Sequence, residues 1–315
     1  MHLQVARESE TFRFRGPAYR ILEKQNHRTI NVQIQKKNLT HLQPVLLFKD
    51  SREAGNLRIG SSIIYEDHWF LVVDKPANLL VHPTCPGGPN TLWDELRKFL
   101  AYEIVNGGQI SFVNRLDRET SGLILVAKST ESARALSRLI SQHRIRKIYI
   151  AIVFGWPESD AFVVNQPLLR QGTVRPSKIW LKQTVHPDGY PALTEFRVVR
   201  RVSRGGKPFA LLAAEPRTGR THQIRVHLAH AGHPIVGDKI YGPDENCYLD
   251  FIASDWSLEL EARLLLPRQA LHASALSFKF DGADYSFTAP MPRDLEDWLA
   301  LTKTGRSVAC ARNLE

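Results

Sequence analysis

Cysteine is scarce in this chain: three in 315 residues, Cys85, Cys247 and Cys310, with no Cys-x-x-Cys pair. So wide a spacing argues against a disulfide framework or a zinc knuckle and fits a reducing compartment. Long apolar runs are missing too. No stretch approaches membrane-spanning length, and Met1 to Glu10 alternate polar and charged side chains, so a soluble, cytoplasmic protein with no membrane partner is expected. There is no internal repeat. There is also no phosphate-cradling loop, because the Arg204-Gly205-Gly206-Lys207 turn lacks the spacing of one. Acidic charge is in deficit: 32 Asp and Glu stand against 42 Lys and Arg, a formal net charge of +10. That excess favours a polyanionic partner without naming it.

What is present is a globular composition, 43% hydrophobic, in a chain long enough for one large domain with an appendage. Residues 1–57 read as a basic extension, 58–303 as the main domain and 304–315 as a tail. Ser62–Glu66 and Trp69–Val73 have the character of two strands turning at Glu66-Asp67. Thr91 opens a helix whose apolar face is Leu92, Leu96, Phe99 and Leu100; Ser129 or Thr130 opens a second, with Ala133, Leu136, Leu139 and Ile140 as its stripe. The exposed face and exit of that second helix carry Arg138, Arg144 and Lys147 among others, which suits phosphate contacts. A strand is expected over Lys147–Gly155. A hairpin follows: Gly189–Phe196 leads into one strand, Pro208–Ala214 forms its antiparallel partner, and the Arg204-Gly205-Gly206-Lys207 turn joins them. Thr221 caps a helix that Gly232 and Pro234 end, and Asp294 caps a last helix facing inward through Leu295, Trp298 and Leu299. The acidic stretch 244–261, which has no Lys or Arg, should lie away from any phosphate backbone.

The most unusual stretch is Phe112-Val113-Asn114-Arg115-Leu116-Asp117-Arg118-Glu119-Thr120-Ser121-Gly122, which leads into the apolar run Leu123–Ala127. It sets one carboxylate, Asp117, between two arginines at the mouth of a buried strand. Arg115 and Arg118 favour its anion, suited to attack or electrostatic stabilisation rather than proton donation. An isolated Asp in such a loop is more often a turn cap.

The segment resembles the signature of the RluA-type pseudouridine synthases, in which an Arg-Leu-Asp step and a Thr-Ser-Gly step carry the catalytic aspartate. The family usually has His where this chain has Asn114. Further blocks resemble the family in order: Asp74–Pro83, Lys147-x-Tyr149, Pro216–Leu228 continuing to Asp238, and Gln269–Phe278, so the likeness spans about residues 60–300. It implies an α+β catalytic domain with a large mixed, mostly antiparallel sheet, flanking helices and a central RNA-binding cleft.

The resemblance also implies a reaction, the isomerisation of specific uridines in structured ribosomal or transfer RNA to pseudouridine, without metal, ATP or redox cofactor. Asp117 is then the nucleophile, Arg225 its cationic partner with Arg220 as runner-up, and Tyr149 the ring that stacks on the base and assists loss of the carbon-bound proton. Arg115 would hold the flipped region, and Arg118, Arg138, Arg144, Lys147, Arg217, Arg220 and His222 complete the expected RNA contacts. A monomer is expected. Two rival readings exist. A catalytically silent RNA-binding protein of the same fold would not need Asp117, Tyr149 and Arg225 together. A carboxylate glycosidase would need a second acid, for which only Glu119 is near. His222, His227, His230 and His233 cluster, but no carboxylate or thiolate joins them at zinc-ligand spacing.

Overall fold

The apolar run Leu123–Ala127 forms the middle of the molecule. The computed structural model describes residues 59–84, 88–300 and the backbone of 303–304; the extension 1–57, the turn at Gly87 and the tail beyond 304 lie outside the described residues. In chain order the elements are β1 (Ile63–Glu66), β2 (Phe70–Lys75), α1 (Leu92–Phe99), α2 (Ala101–Val105), β3 (Ser111–Phe112), β4 (Ser121–Ala127), α3 (Thr130–Ser141) and β5 (Ile145–Phe154). There follow β6 (Ala161–Asn165), β7 (Leu168–Arg170), α4 (Gln171–Val174), β8 (Gln183–Val185), β9 (Leu193–Arg204), β10 (Lys207–Pro216) and α5 (Gln223–His230). The chain closes with α6 (Asn246–Ser254), α7 (Leu258–Leu264), β11 (Leu271–Phe280), β12 (Ala283–Thr288), α8 (Arg293–Ala300) and β13 (Lys303–Thr304).

One large sheet runs β1-β2-β4-β11-β5-β10-β9-β13, with β3, β6 and β12 pairing at its sides, and a separate ribbon joins β7 to β8. Among the described strands only β4 and β11 pair in parallel; the rest is antiparallel, as the α+β expectation required. All seven residues of β4 are buried. Its side chains alternate between two cores: Ile124 and Val126 join α1, α5 and α8 on one face, while Leu123, Leu125 and Ala127 join α3 and a cluster of aromatic side chains on the other. Burial on both faces explains why the run reads as continuously apolar rather than alternating.

Local chemistry sets the helix ends. Thr91 and Asp94 form a reciprocal capping box at α1, and Ser129 with Ser132 does the same at α3. Two expected caps are corrected. Thr221 does not cap α5, which begins at Gln223 after His222 takes a left-handed conformation (φ 57°); Gln223 folds back so that its Oε1 accepts from the Arg220 N–H at 3.0 Å and the Thr218 hydroxyl at 2.7 Å. Asp294 lies inside α8, where its carboxylate takes two bonds from Arg268, at 2.6 and 2.9 Å. A distant guanidinium outcompetes the local N–H groups.

The edge of β4 opposite β2 is satisfied in three pieces. β3 pairs at Val126 and Ala127, and β11 pairs at Ser121 and Gly122. Between them the Val113 N–H donates to Leu125 O at 2.9 Å, Asn114 Oδ1 accepts from the Leu125 N–H at 2.8 Å, and Asn114 Nδ2 donates to Leu123 O at 3.1 Å. The Asn114 amide thus stands in for a peptide where one strand has left and the next has not yet joined. Gly122 (φ +110°) is needed for the third piece, because a Cβ there would lie 2.3 Å from Ala273 O on β11.

Two substitutions follow from this edge. Gly122→Ala is expected to destabilise the fold by about 3 kcal/mol or more, through backbone strain and overpacking together. Asn114→Ala, which leaves two β4 backbone groups without partners, should cost about 1–3 kcal/mol. Urea unfolding of both variants beside the parent checks the order.

Candidate active site

The loop between β3 and β4 holds Asp117 at its turn, where the Thr120 N–H donates to Asp117 O at 3.1 Å. Each part of that turn is tethered by an element distant in sequence. Lys75, at the end of β2, is fully buried, and its ammonium donates to Pro76 O, Leu79 O and Arg118 O at 2.7, 3.0 and 3.1 Å. Lys239 holds Glu119 at 2.6 Å, and the Gln269 N–H donates to the other Glu119 oxygen at 3.1 Å. Gln269 Nε2 reaches Thr120 Oγ1 at 2.5 Å and Asp117 Oδ2 at 3.4 Å.

α5 supplies the cation. Arg225 is buried, and its Nη1 donates to Asp117 Oδ2 at 2.7 Å. The rest of its fork is bidentate on Asp238, Nε at 2.7 Å and Nη2 at 2.9 Å, while the Ile240 and Tyr241 N–H groups donate to Asp238 Oδ1 at 3.0 Å each. Tyr241 lies against the guanidinium, 5.0 Å from ring centre to Cζ. Its hydroxyl accepts from the Gln183 N–H at 2.7 Å and is 2.8 Å from His222 Nδ1; His222 Nε2 stands 3.8 Å from Asp117 Oδ2. With its oxygen already accepting, Tyr241 best satisfies its O–H by donating to Nδ1, which leaves the His222 proton on Nε2, towards Asp117.

The electrostatics follow from these contacts. Burial alone would raise the Asp117 carboxyl, but Arg225 and then His222 hold it below the ordinary carboxylate value. Burial and then the Arg225 charge push His222 down to about 4, so it is neutral at pH 7. Burial lowers Lys75 to about 7 against the opposing pull of Asp117. Tyr149, on β5, is raised by burial and then by the Asp117 charge, so its phenol keeps its proton. Asp117 itself is only partly covered, with 32% of its side chain exposed. Gln269, His222 and Arg225 all approach Oδ2, and no described residue donates to Oδ1.

The structure thus brings Asp117, Arg225, Tyr149 and His222 together. It places the expected RNA contacts differently from one another. Arg115, Arg118, Arg138 and Arg144 are exposed with no carboxylate partner among the described residues. Lys147 and Arg220 line one cleft of about 280 Å³ with Arg217 and His143. Arg217 is committed to Glu195 at 2.8 Å and to Glu215, within an exposed network that also takes in Arg146. His222 is largely covered, with its Nε2 3.8 Å from Asp117 Oδ2. His227 bonds Thr194 Oγ1 and Gln166 O, and His233 bonds Phe154 O, so both are spent on structure. The acidic stretch carries its own partners, Arg263 for Asp244 and Asp250, and Lys182 for Glu245.

Lys75, Asp238, Tyr241 and Gln269 were not singled out by sequence. Lys75, Asp238 and Gln269 do fall within the stretches that resemble the family, Asp74–Pro83, the segment continuing to Asp238, and Gln269–Phe278, but no role was attached to them there.

The chain is similar to known proteins. The family model described as RNA pseudouridylate synthase matches residues 69–230. The chain is 35% identical to ribosomal large subunit pseudouridine synthase D of Nitrosomonas europaea over 74% of this chain and 62% of that protein. It is 34% identical to the Haemophilus influenzae protein of the same name over 80% and 73%. It therefore spans a little over three fifths of the first relative's length. Among solved structures it resembles human RNA pseudouridylate synthase domain containing 1, with TM-score 0.60, 25% identity, and 79% and 91% of the two chains covered. With the aspartate, its guanidinium and the glycine-tied strand in place, the chain belongs to the RNA pseudouridylate synthase family.

Proposed function

We propose that this protein isomerises uridine to pseudouridine in structured RNA, with ribosomal RNA as the favoured substrate class and Asp117 as the nucleophile. One observation carries the reading: a carboxylate at the mouth of a buried strand, fixed as an anion through Oδ2 by Arg225 at 2.7 Å, with no donor to Oδ1 among the described residues. The reaction breaks the bond between N1 and C1′, turns the base and joins C5 to C1′. The proton lost from C5 is balanced by one gained at N1, so no redox partner or group donor enters. Whether attack falls on the sugar or on the base, the site must supply an unprotonated carboxylate that does not rotate away. The arrangement of donors on a single oxygen does this. Tyr149 offers a flat surface for the freed uracil and a phenol beside the reacting atoms.

The substrate class rests on the relatives' names, which refer to the ribosomal large subunit. The domain limits 58–303, the monomer and the exposed arginines Arg115, Arg118, Arg138 and Arg144 as phosphate contacts belong to the same proposal. The glycosidase alternative is disfavoured because Glu119 is bound by Lys239 at 2.6 Å and by the Gln269 N–H. The silent RNA-binding alternative leaves the buried cost of the Asp238–Arg225–Asp117 chain without a purpose.

Release of tritium from uridine labelled at carbon 5 in bulk unmodified RNA is the direct assay. The parent protein should release it and Asp117→Ala should not; fractionating ribosomal from transfer RNA then names the substrate. No release from either class, despite salt-sensitive binding, would reject the reading.

The pH profile offers a second check. Because Asp117 is held low, activity should persist as pH falls to the ordinary aspartate value of 3.8. Arg225→Lys keeps a charge but cannot fork between two carboxylates. It should cut single-turnover rates by about 100-fold. With the lowering influence weakened and burial unchanged, the acid limb should move to higher pH.

A further inference from the structure

The ribbon from Leu168 to Val185 touches the site described above only through the Gln183 N–H on Tyr241, and it carries Arg170, Arg175, Lys178 and Lys182 and no acidic residue. Its tip is a tight turn in which the Lys182 N–H donates to Ile179 O at 3.1 Å, with Trp180 and Leu181 at the two central positions. Both are open to solvent, Trp180 73% and Leu181 53% exposed. An indole so exposed is unusual for a residue of this type. The Arg170 guanidinium lies over the indole, 3.8 Å from its centroid.

The turn is not a loose loop. Ile179 is buried in a small cluster with Leu168, Val226, Ile240 and Tyr241, and Ser177 Oγ both accepts from the Ile179 N–H and donates to Ile179 O. At its exit the Gln183 N–H donates to the Tyr241 hydroxyl at 2.7 Å. The tip is therefore built onto Tyr241 and onto α5, the two elements that hold His222 and Arg225. Between ribbon and α5 runs an open groove of about 520 Å³, lined by Arg175, Lys182, Gln183, His230 and Tyr241 and also by Asp244 and Glu245. Glu245 is neutralised by Lys182 and Asp244 by Arg263, whereas Arg175 and Lys178 have no carboxylate partner among the described residues.

We infer that the Trp180 turn is a stacking platform for an unpaired nucleotide of the RNA, with Arg170, Arg175 and Lys178 supplying its phosphate contacts. The inference rests on the proposed function and adds a preference to it: the ribbon selects single-stranded RNA at a fixed offset from the reacting uridine. An aromatic face stacks on any base, and a guanidinium already packed on one side stiffens the ring and adds its own charge. A paired base has both faces covered by its neighbours in the helix and cannot use the platform. A protein partner would instead be drawn to the apolar tip alone, with no use for the two cations that lack a carboxylate partner among the described residues.

The test uses the full chain, a twelve-nucleotide oligouridylate and an RNA duplex of twelve base pairs, at one stated salt concentration. Trp180→Ala should weaken oligouridylate binding about tenfold and Trp180→Phe should restore most of it, while duplex binding stays within twofold of the parent. Parent tryptophan fluorescence should fall on adding the oligouridylate, and that change should shrink in Trp180→Phe. Equal loss on strand and duplex, or no loss on either, overturns the inference. Because the side chain is 73% exposed, unfolding is not the expected cause, and matching urea curves verify this. Tritium release by the parent is read separately, so an inactive protein that still binds through Trp180 would sink the enzymatic reading alone.

Discussion

The structure depends on one buried guanidinium shared by two carboxylates. Arg225 is desolvated at a cost that a single ion pair in the interior does not reliably offset. Asp238 offsets it with two parallel bonds while its own charge is held by two backbone N–H groups, leaving Nη1 for Asp117. Removing either acid would leave the guanidinium with a single anionic partner and unpaired N–H groups in the core, so the same contacts that hold Asp117 also fix α5 against the loop after β3. Stability and reactivity here share the same atoms.

The loop carrying Asp117 shows how little it is allowed to move. Its carbonyls, its hydroxyl and its neighbouring acid are bound by Lys75, Gln269, Lys239 and Arg225, which come from β2, the approach to β11, the segment after α5 and α5 itself. Loops that hold chemistry gain accuracy from rigid elements around them, and here four such elements converge on about four residues. Little reorganisation is then needed when charge develops on a substrate.

Much of this was legible in the sequence. Continuous apolar character marked β4, two glycines marked the β9–β10 hairpin, and Thr91 and Ser129 marked the starts of α1 and α3, because each signal is local. Asp117 and Arg225 came from motif resemblance, 108 positions apart in the chain and 2.7 Å apart in space. What sequence could not supply were partners fixed only by the tertiary fold. Asp238 and Lys75 lie in stretches that resemble the family, yet nothing local says that they bind Arg225 and the Arg118 carbonyl, and the left-handed turn that sets His222 beside Asp117 leaves no mark in the sequence. Asp294 failed as a cap for the same reason, since Arg268 arrives from 26 residues away.

Asn114 carries a further consequence. The gap it fills between β3 and β11 asks for one donor and one acceptor on the same side chain. A neutral imidazole, the group the RluA-type resemblance leads one to expect there, has that pair as well, but loses its acceptor on protonation near its ordinary value of about 6.5. A carboxamide has no such transition. In this chain, therefore, the seam beside the Asp117 loop keeps its two hydrogen bonds through mild acid.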